Sequence, residues 1–243
     1  MTVAHDPFST PDKRPALPAG DTGEEAWKIF RIMAEFVEGF EKLAGVGPSV
    51  SVFGSARIAP DHPYYGLAER IGRALSDAGF AVVTGGGPGL MEAASRGAQG
   101  GRSPSVGLNI QLPEREPRNA YQDVSLAFRH FFARKVMFVQ SAAAFVVLPG
   151  GFGTLDECFE IITLIQTGKT RRVPVLLVGR DYWQGLLDWI DTRLLPLGTI
   201  APEERRLYRV ADDPETLLEE IFAHYHDRGF APTEHERRML FEL

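Results

Sequence analysis

The sequence predicts an α/β protein built on one doubly wound parallel sheet with helices on both faces. Three observations lead to this class. Short apolar runs without polar alternation, such as 80–84 and 145–148, read as strands buried on both faces. Stretches of helical period separate them. Three of the strands run into glycine-rich or small-residue turns at their carboxyl ends, where such sheets bind ligands. Right-handed crossovers between successive parallel strands then give the doubly wound form.

The elements follow in order. Residues 1–23 carry several prolines and polar residues and read as a flexible arm. Residues 24–46 read as an N-terminal helix, with Trp27, Phe30, Ile32, Met33, Phe36, Val37 and Phe40 at helical spacing, stopped by Gly45, Gly47 and Pro48. Its wide apolar stripe has two readings: packing on its own domain, or contact with another subunit. The α/β domain spans 47–228. Strands are expected at 50–53, 80–84, 105–110, 145–148 and 173–178, with shorter extended pieces at 124–128 and 207–210. Helices are expected at 64–78, 90–98, from 131 onward, from Thr154, at 182–195 and at 214–226. Residues 229–243 read as a polar tail.

Composition sets the frame. The chain has 243 residues, 44% hydrophobic and 24% charged, enough for one large domain with appendages. A net charge of −6 argues against a protein that coats nucleic acid. The single cysteine, Cys158, cannot form an intrachain disulfide and suits a reducing cytoplasm; it reads as a buried, inert thiol. No apolar run reaches the roughly 20 residues of a membrane helix, and no signal pattern is visible, so the expected location is cytoplasmic, with no membrane partner. None of the six histidines falls in a metal-ligand pattern, and no metal is expected.

The stretch 144–160 concentrates the chemistry. A strand, the broken turn Pro149-Gly150-Gly151-Phe152-Gly153 and a helix start at Thr154 leave backbone N–H groups bare at the positive end of a helix dipole. That is an anion site, and three small-residue strand ends in one sheet suit a nucleotide-sized pocket. The turn after the second strand lacks the third glycine of the dinucleotide fingerprint, and the Gly-Lys-Ser/Thr phosphate loop is absent, so a mononucleotide or sugar phosphate is expected. Glu157 has two readings. Thr154-Leu155-Asp156-Glu157 has the form of a capping box; alternatively the carboxylate points into the pocket to meet ribose hydroxyls or activate water. Glu160 reads as its neighbour or a partner for a cation, and Asp156 as solvated or part of the cap. Arg134-Lys135 is either a snorkelling surface pair or a binder of phosphate and developing charge.

The motif Pro149-Gly-Gly-Phe-Gly-Thr-Leu-Asp-Glu157 resembles the P-G-G-x-G-T-x-x-E motif of the Lonely guy (LOG) family of cytokinin riboside 5′-monophosphate phosphoribohydrolases, often mislabelled lysine decarboxylases. Gly85-Gly-Gly-Pro-Gly-Leu-Met91 is similar to that family's G-G-G-x-x-G-L-M pattern, Phe53-Gly-Ser55 to its first strand end, and Arg134-Lys135 to its R-K pair. The resemblance covers about 49–210. It implies a Rossmann-like fold and hydrolysis of the N-glycosidic bond of a nucleoside 5′-monophosphate, giving base and ribose 5-phosphate without a cofactor. It supplies no pyridoxal phosphate site. It also implies a homo-oligomer, at least a dimer with a shared pocket. Arg134 and Glu157 match the catalytic positions. The implied substrate-binding set is Gly54, Ser55, Gly86, Gly87, Gly89, Met91, Glu116, Lys135, Gly150, Gly151, Phe152, Gly153, Thr154, Leu155, Asp156 and Thr163, with Glu114 competing with Glu116. Phe131-Phe132 stand where short plant members have Met-His, and both termini are longer. These departures resemble the longer bacterial subgroup (type II), which assembles as hexamers. A non-catalytic nucleotide sensor and a broader monophosphate nucleosidase are the competing functions.

Overall fold

The computed structural model describes residues 22–112, 117–227, 229–231 and 233. The expected arm up to residue 21, most of the tail, and Glu114 and Glu116 lie outside the described residues. The elements run α1 (Thr22–Leu43), β1 (Ser49–Phe53), α2 (Pro63–Asp77), β2 (Ala81–Thr84), α3 (Leu90–Gln99), β3 (Ser105–Ile110), β4 (Val124–Phe128), α4 (Phe131–Gln140), β5 (Ala142–Val147), α5 (Phe152–Gln166), β6 (Val175–Val178), α6 (Arg180–Trp189), β7 (Arg209–Ala211) and α7 (Pro214–Tyr225).

All seven strands are parallel, in the order β4-β3-β2-β1-β5-β6-β7. The chain builds outward from β1 to β4, then returns to the far side of β1 with β5. Strand order therefore reverses between β1 and β5, and their carboxyl ends part to leave a crevice. The sheet centre is buried throughout: every residue of β1, β2 and β5 is buried, and the hydroxyls of Ser49 and Ser51 donate to the Ser141 and Phe138 carbonyls. Apolar residues on both faces explain why β2 and β5 read as nearly continuous runs.

Local chemistry sets the boundaries. Pro63 and Pro214 occupy first-turn positions, and Asp213 caps α7 by accepting the Thr216 N–H at 2.7 Å. Several boundaries differ from expectation. β5 begins at Ala142 rather than Phe145, because Ala142–Ala144 carry no strand signature and pair with β1 through backbone alone. α6 ends at Trp189 and passes into one π-helical turn, Ile190–Leu194. Pro202–Leu207 forms a 3₁₀ turn, where Glu204 accepts the Ala201 N–H at 2.7 Å, so the last strand starts only at Arg209.

The N-terminal helix splits its apolar residues between two sides. Phe36 and Leu43 join the core, and Gly39 sits against Met137 of α4 with no room for a Cβ. Trp27, Phe30, Met33 and Val37 stay exposed. Packing on its own domain thus accounts for only part of the stripe. α1 also contributes a cap: the Glu35 carboxylate accepts the N–H groups of Arg129 and His130 at 3.1 and 3.3 Å, where α4 begins. An anion there opposes the positive end of the α4 dipole. Glu35→Ala is expected to lower unfolding stability by about 1–2 kcal/mol, measured by urea denaturation, with Glu35→Gln losing less.

Candidate functional site

A cavity of about 670 Å³ occupies the β1/β5 crevice. Its walls come from the ends of β1 (Phe53 to Arg57) and β2 (Gly85), from Met91 on α3, from Phe131, Arg134 and Phe138 on α4, and from Gly150 to Leu155 with Glu157 on α5. Backbone bonds stitch the strand ends together. The Ser55 N–H donates to the Pro149 carbonyl at 3.0 Å, and the Leu90 N–H donates to the Ser55 carbonyl at 2.9 Å. Gly89 makes this junction possible: its φ is +66°, and a Cβ would collide with the backbone of Ser55 and Ala56. Behind the floor, the side chains of Gln122 and Asn119 donate to the carbonyls of Gly86 and Gly87 at 2.9 and 3.0 Å.

α5 starts two residues earlier than expected. Gly151 is its N-cap, with no side-chain cap bond, and Phe152 is the first helical residue. The first helical bond runs from the Leu155 N–H to the Gly151 carbonyl at 3.0 Å. Helix geometry leaves the preceding N–H groups, those of Phe152, Gly153 and Thr154, without intrahelical acceptors, at the cavity wall. Thr154 lies inside the first turn rather than before it, so Thr154 and Glu157 do not form the expected capping box. Thr154 instead packs on Gly150, where any Cβ would strike its side chain. The Tyr182 hydroxyl donates to the Gly150 carbonyl at 2.5 Å and pins the turn from α6.

Glu157, one turn into α5, is only 6% exposed. Arg134 Nη2 lies 3.7 Å from its Oε1. Burial pushes the Glu157 carboxyl from 4.5 up to about 7; the positive charges of Lys135 and Arg134 work against the rise, and Glu160 and Asp156 add to it. Such a group exchanges a proton near neutral pH, as a catalytic acid or base must. The Arg134 guanidinium is held over the rings of Phe131 and Phe138, 5.4 and 5.7 Å from their centroids. Lys135, one residue on, faces away from the crevice and is ion-paired with Asp156 at 2.8 Å and Glu160 at 2.9 Å. Burial disfavours its charge, but these two carboxylates outweigh burial and raise its pKa.

The structure therefore gathers Arg134, Glu157, Gly54, Ser55, Met91, Gly150, Gly151, Phe152, Gly153, Thr154 and Leu155 on one cavity. Gly86, Gly87 and Gly89 stand behind the floor and shape it. Lys135, Asp156 and Thr163 line a neighbouring shallow depression with Phe159 and Glu160. Thr163 there donates to the Phe159 carbonyl at 2.7 Å. Glu116 lies outside the described residues. Cys158 is buried and its thiol is pushed up to about 12, which fits an inert role. Among the described residues, no group of three or more His, Cys, Asp or Glu side chains is placed to hold a metal ion. Sequence reading missed Tyr182, Arg57, Ile110 and Phe138 as cavity walls. Nothing in their local sequence marks them; only the strand order brings α6 and the end of β3 to the crevice.

The raised Glu157 carboxyl has a sign that stability measurements can read. Its folded-state value lies above the unfolded one, so its contribution is complete below about pH 4.5 and is lost as pH rises through about 7. The loss amounts to about 3 kcal/mol at most. Glu157→Gln has no carboxylate to bury. It should gain on the wild type progressively between about pH 4.5 and 7, read as the difference in urea midpoints across that range.

Comparison with known proteins places the chain in a family. Residues 91–221 match the family model described as possible lysine decarboxylase. A probable cytokinin riboside 5′-monophosphate phosphoribohydrolase of Oryza sativa subsp. japonica is 34% identical over 70% of this chain and 69% of its own. An Arabidopsis thaliana cytokinin riboside 5′-monophosphate phosphoribohydrolase is 31% identical over 71% of this chain and 80% of its own. The bacterial enzyme of that name from Rhodococcoides fascians is 31% identical over 71% and 88%. Among solved structures, the molybdenum cofactor binding protein of Rippkaea orientalis superposes with a TM-score of 0.53 at 23% identity, covering 73% of this chain and 97% of that one, a likeness of fold. With its glycine turns, Arg134 and Glu157 gathered on one crevice, this chain belongs to the LOG family of Rossmann-like proteins, the group that the possible lysine decarboxylase model describes.

Proposed function

We propose that the chain hydrolyses the N-glycosidic bond of nucleoside 5′-monophosphates, cytokinin riboside monophosphates and AMP among them, giving free base and ribose 5-phosphate. The observation that carries this reading is the buried Glu157 carboxyl beside Arg134, one turn below the open N-terminus of α5, in a single cavity of nucleotide size. The relatives' names support the same substrate class.

In this reading the 5′-phosphate sits on the N–H groups of Phe152, Gly153 and Thr154 and is stabilised by the α5 dipole. Anchoring it fixes the sugar in the crevice, so binding far from the reacting bond aids the reaction. As the bond from C1′ to the base breaks, its electron pair leaves with the base and positive charge develops on the ribose ring. The ionised Glu157 stabilises that charge. Water adds its oxygen to C1′ and gives a proton to Glu157, while a solvent proton completes the base. Arg134 balances negative charge on the phosphate or the departing base. Phe138 and Met91 supply apolar walls for the base. No lysine lines this cavity among the described residues, and Lys135 is held charged by two carboxylates next door. That arrangement favours hydrolysis over pyridoxal phosphate-dependent amino acid decarboxylation, which needs a lysine free to form an imine.

The exposed face of α1 (Trp27, Phe30, Met33, Val37), together with Phe152 and Phe159 beside the Lys135 depression, supports a homo-oligomer, a dimer at least. No helix among the described residues is long and apolar enough to cross a membrane. The net charge of −6 and the reduced thiol fit a cytoplasmic enzyme without a nucleic acid partner.

Incubation of the pure protein with AMP, isopentenyladenosine monophosphate and a panel of other monophosphates should release free base. Glu157→Gln should lower kcat by at least about 10²-fold while AMP binding is kept. The wild type should show activity rising with an apparent pKa near 7, the value of its carboxyl. Saturable AMP binding without turnover would instead identify a sensor.

A further inference from the structure

Three successive carbonyls lead into α5, and each is held by one donor. The Pro149 carbonyl accepts the Ser55 N–H at 3.0 Å, the Gly150 carbonyl accepts the Tyr182 hydroxyl at 2.5 Å, and the Gly151 carbonyl accepts the Leu155 N–H at 3.0 Å. Only the middle bond comes from a side chain. The peptide it holds joins two glycines, which restrict their own backbone least. In a trans peptide the carbonyl and the following N–H point in opposite directions, so fixing the Gly150 carbonyl also fixes the Gly151 N–H. Among the described residues, none accepts that N–H. It directly precedes the N–H groups of Phe152, Gly153 and Thr154 at the open end of α5.

Tyr182 is itself held in place. The buried Trp183 donates its Nε1–H to the Val178 carbonyl at 3.0 Å, and the Tyr182 ring packs edge-on against Trp183 with centroids 4.9 Å apart. The phenol therefore reaches the turn from a fixed base, and it also lines the crevice. A phenol carries one proton, and here the Gly150 carbonyl takes it. The oxygen has only lone pairs left for an anion in the crevice, so Tyr182 is not itself a phosphate ligand. We propose that Tyr182 is a positioning residue for the substrate phosphate: its hydroxyl orients the Gly150–Gly151 peptide so that the turn presents its N–H groups to the anion. The proposal rests on the reading of this crevice as the site of a nucleoside 5′-monophosphate. The role is confined to the phosphate end. The Glu157 carboxyl is set by burial, Lys135, Arg134, Glu160 and Asp156, so loss of the Tyr182 hydroxyl leaves it in place.

Tyr182→Phe removes the hydroxyl and keeps the ring on Trp183. Ribose 5-phosphate carries the phosphate but no base to lose, so its binding to the full chain, measured by isothermal titration calorimetry, reads the phosphate site without turnover. The variant should bind it about two- to tenfold more weakly than the wild type, the worth of one neutral hydrogen bond. The Glu157 carboxyl, followed by ¹³C NMR, should still titrate at about 7 in the variant. A loss smaller than about twofold shows that the turn holds without the hydroxyl. A loss larger than about tenfold marks a charge-assisted bond from Tyr182 to the phosphate itself. A displaced Glu157 titration marks a general disturbance of the crevice. Each of these, or the absence of saturable binding to the wild type, overturns the proposal. Ribose 5-phosphate held through Tyr182 by a protein that releases no base from AMP keeps the proposal and overturns the hydrolytic reading instead.

Discussion

The crevice depends on one adjacency: β5 returns beside β1, so the turn from Pro149 to Gly151 ends against Ser55. The bond from the Ser55 N–H to the Pro149 carbonyl closes that adjacency, and everything above it follows. The turn delivers α5 with its first N–H groups facing the gap. The dipole of a 15-residue helix then points its positive end at the crevice. Tyr182 holds the Gly150 carbonyl from the other side, so the turn is clamped between two helices' connections. Remove the parallel return beside β1 and neither the anion site nor the carboxylate below it has a reason to face a cavity.

Within that frame the electrostatics separate into two compartments. Arg134 faces the crevice beside Glu157, while Lys135, its sequence neighbour, turns to Asp156 and Glu160 on the outer side of α5. The two cations cannot share one face of α4, since consecutive residues are about 100° apart around a helix. Burial of Glu157 outweighs the positive charges of Lys135 and of Arg134, whose Nη2 lies 3.7 Å away, and so holds its carboxyl near neutrality. α1 contributes at a distance: Glu35 caps α4, and α4 carries Arg134. The N-terminal helix thus braces the α4 wall of the crevice, while its opposite face, with Trp27 and Phe30, is exposed.

Much of this was legible in the sequence because burial leaves a period. The central strands are buried on both faces, and β2 and β5 read as nearly continuous apolar runs; the glycine turns mark the strands' carboxyl ends; the Pro149–Glu157 motif points to the crevice. The edges were harder. Ala142–Ala144 hid a strand start because alanine has no β signature, and Thr154 drew the helix start two residues too late because a threonine before a glutamate imitates a cap. Lys135 and Thr163 were grouped with the crevice by motif, whereas the turn of each helix puts them in a neighbouring depression. Tyr182 was invisible, since its role arises only from packing between α6 and the glycine turn.

The central claim is that water, directed by Glu157, attacks C1′ of a nucleoside 5′-monophosphate. It is tested most directly by running the reaction with AMP in ¹⁸O-labelled water and locating the label before the sugar exchanges with solvent. The account predicts free adenine without label and ribose 5-phosphate with one ¹⁸O at C1. Label in released inorganic phosphate, or base release only when phosphate is supplied as the nucleophile, would contradict it.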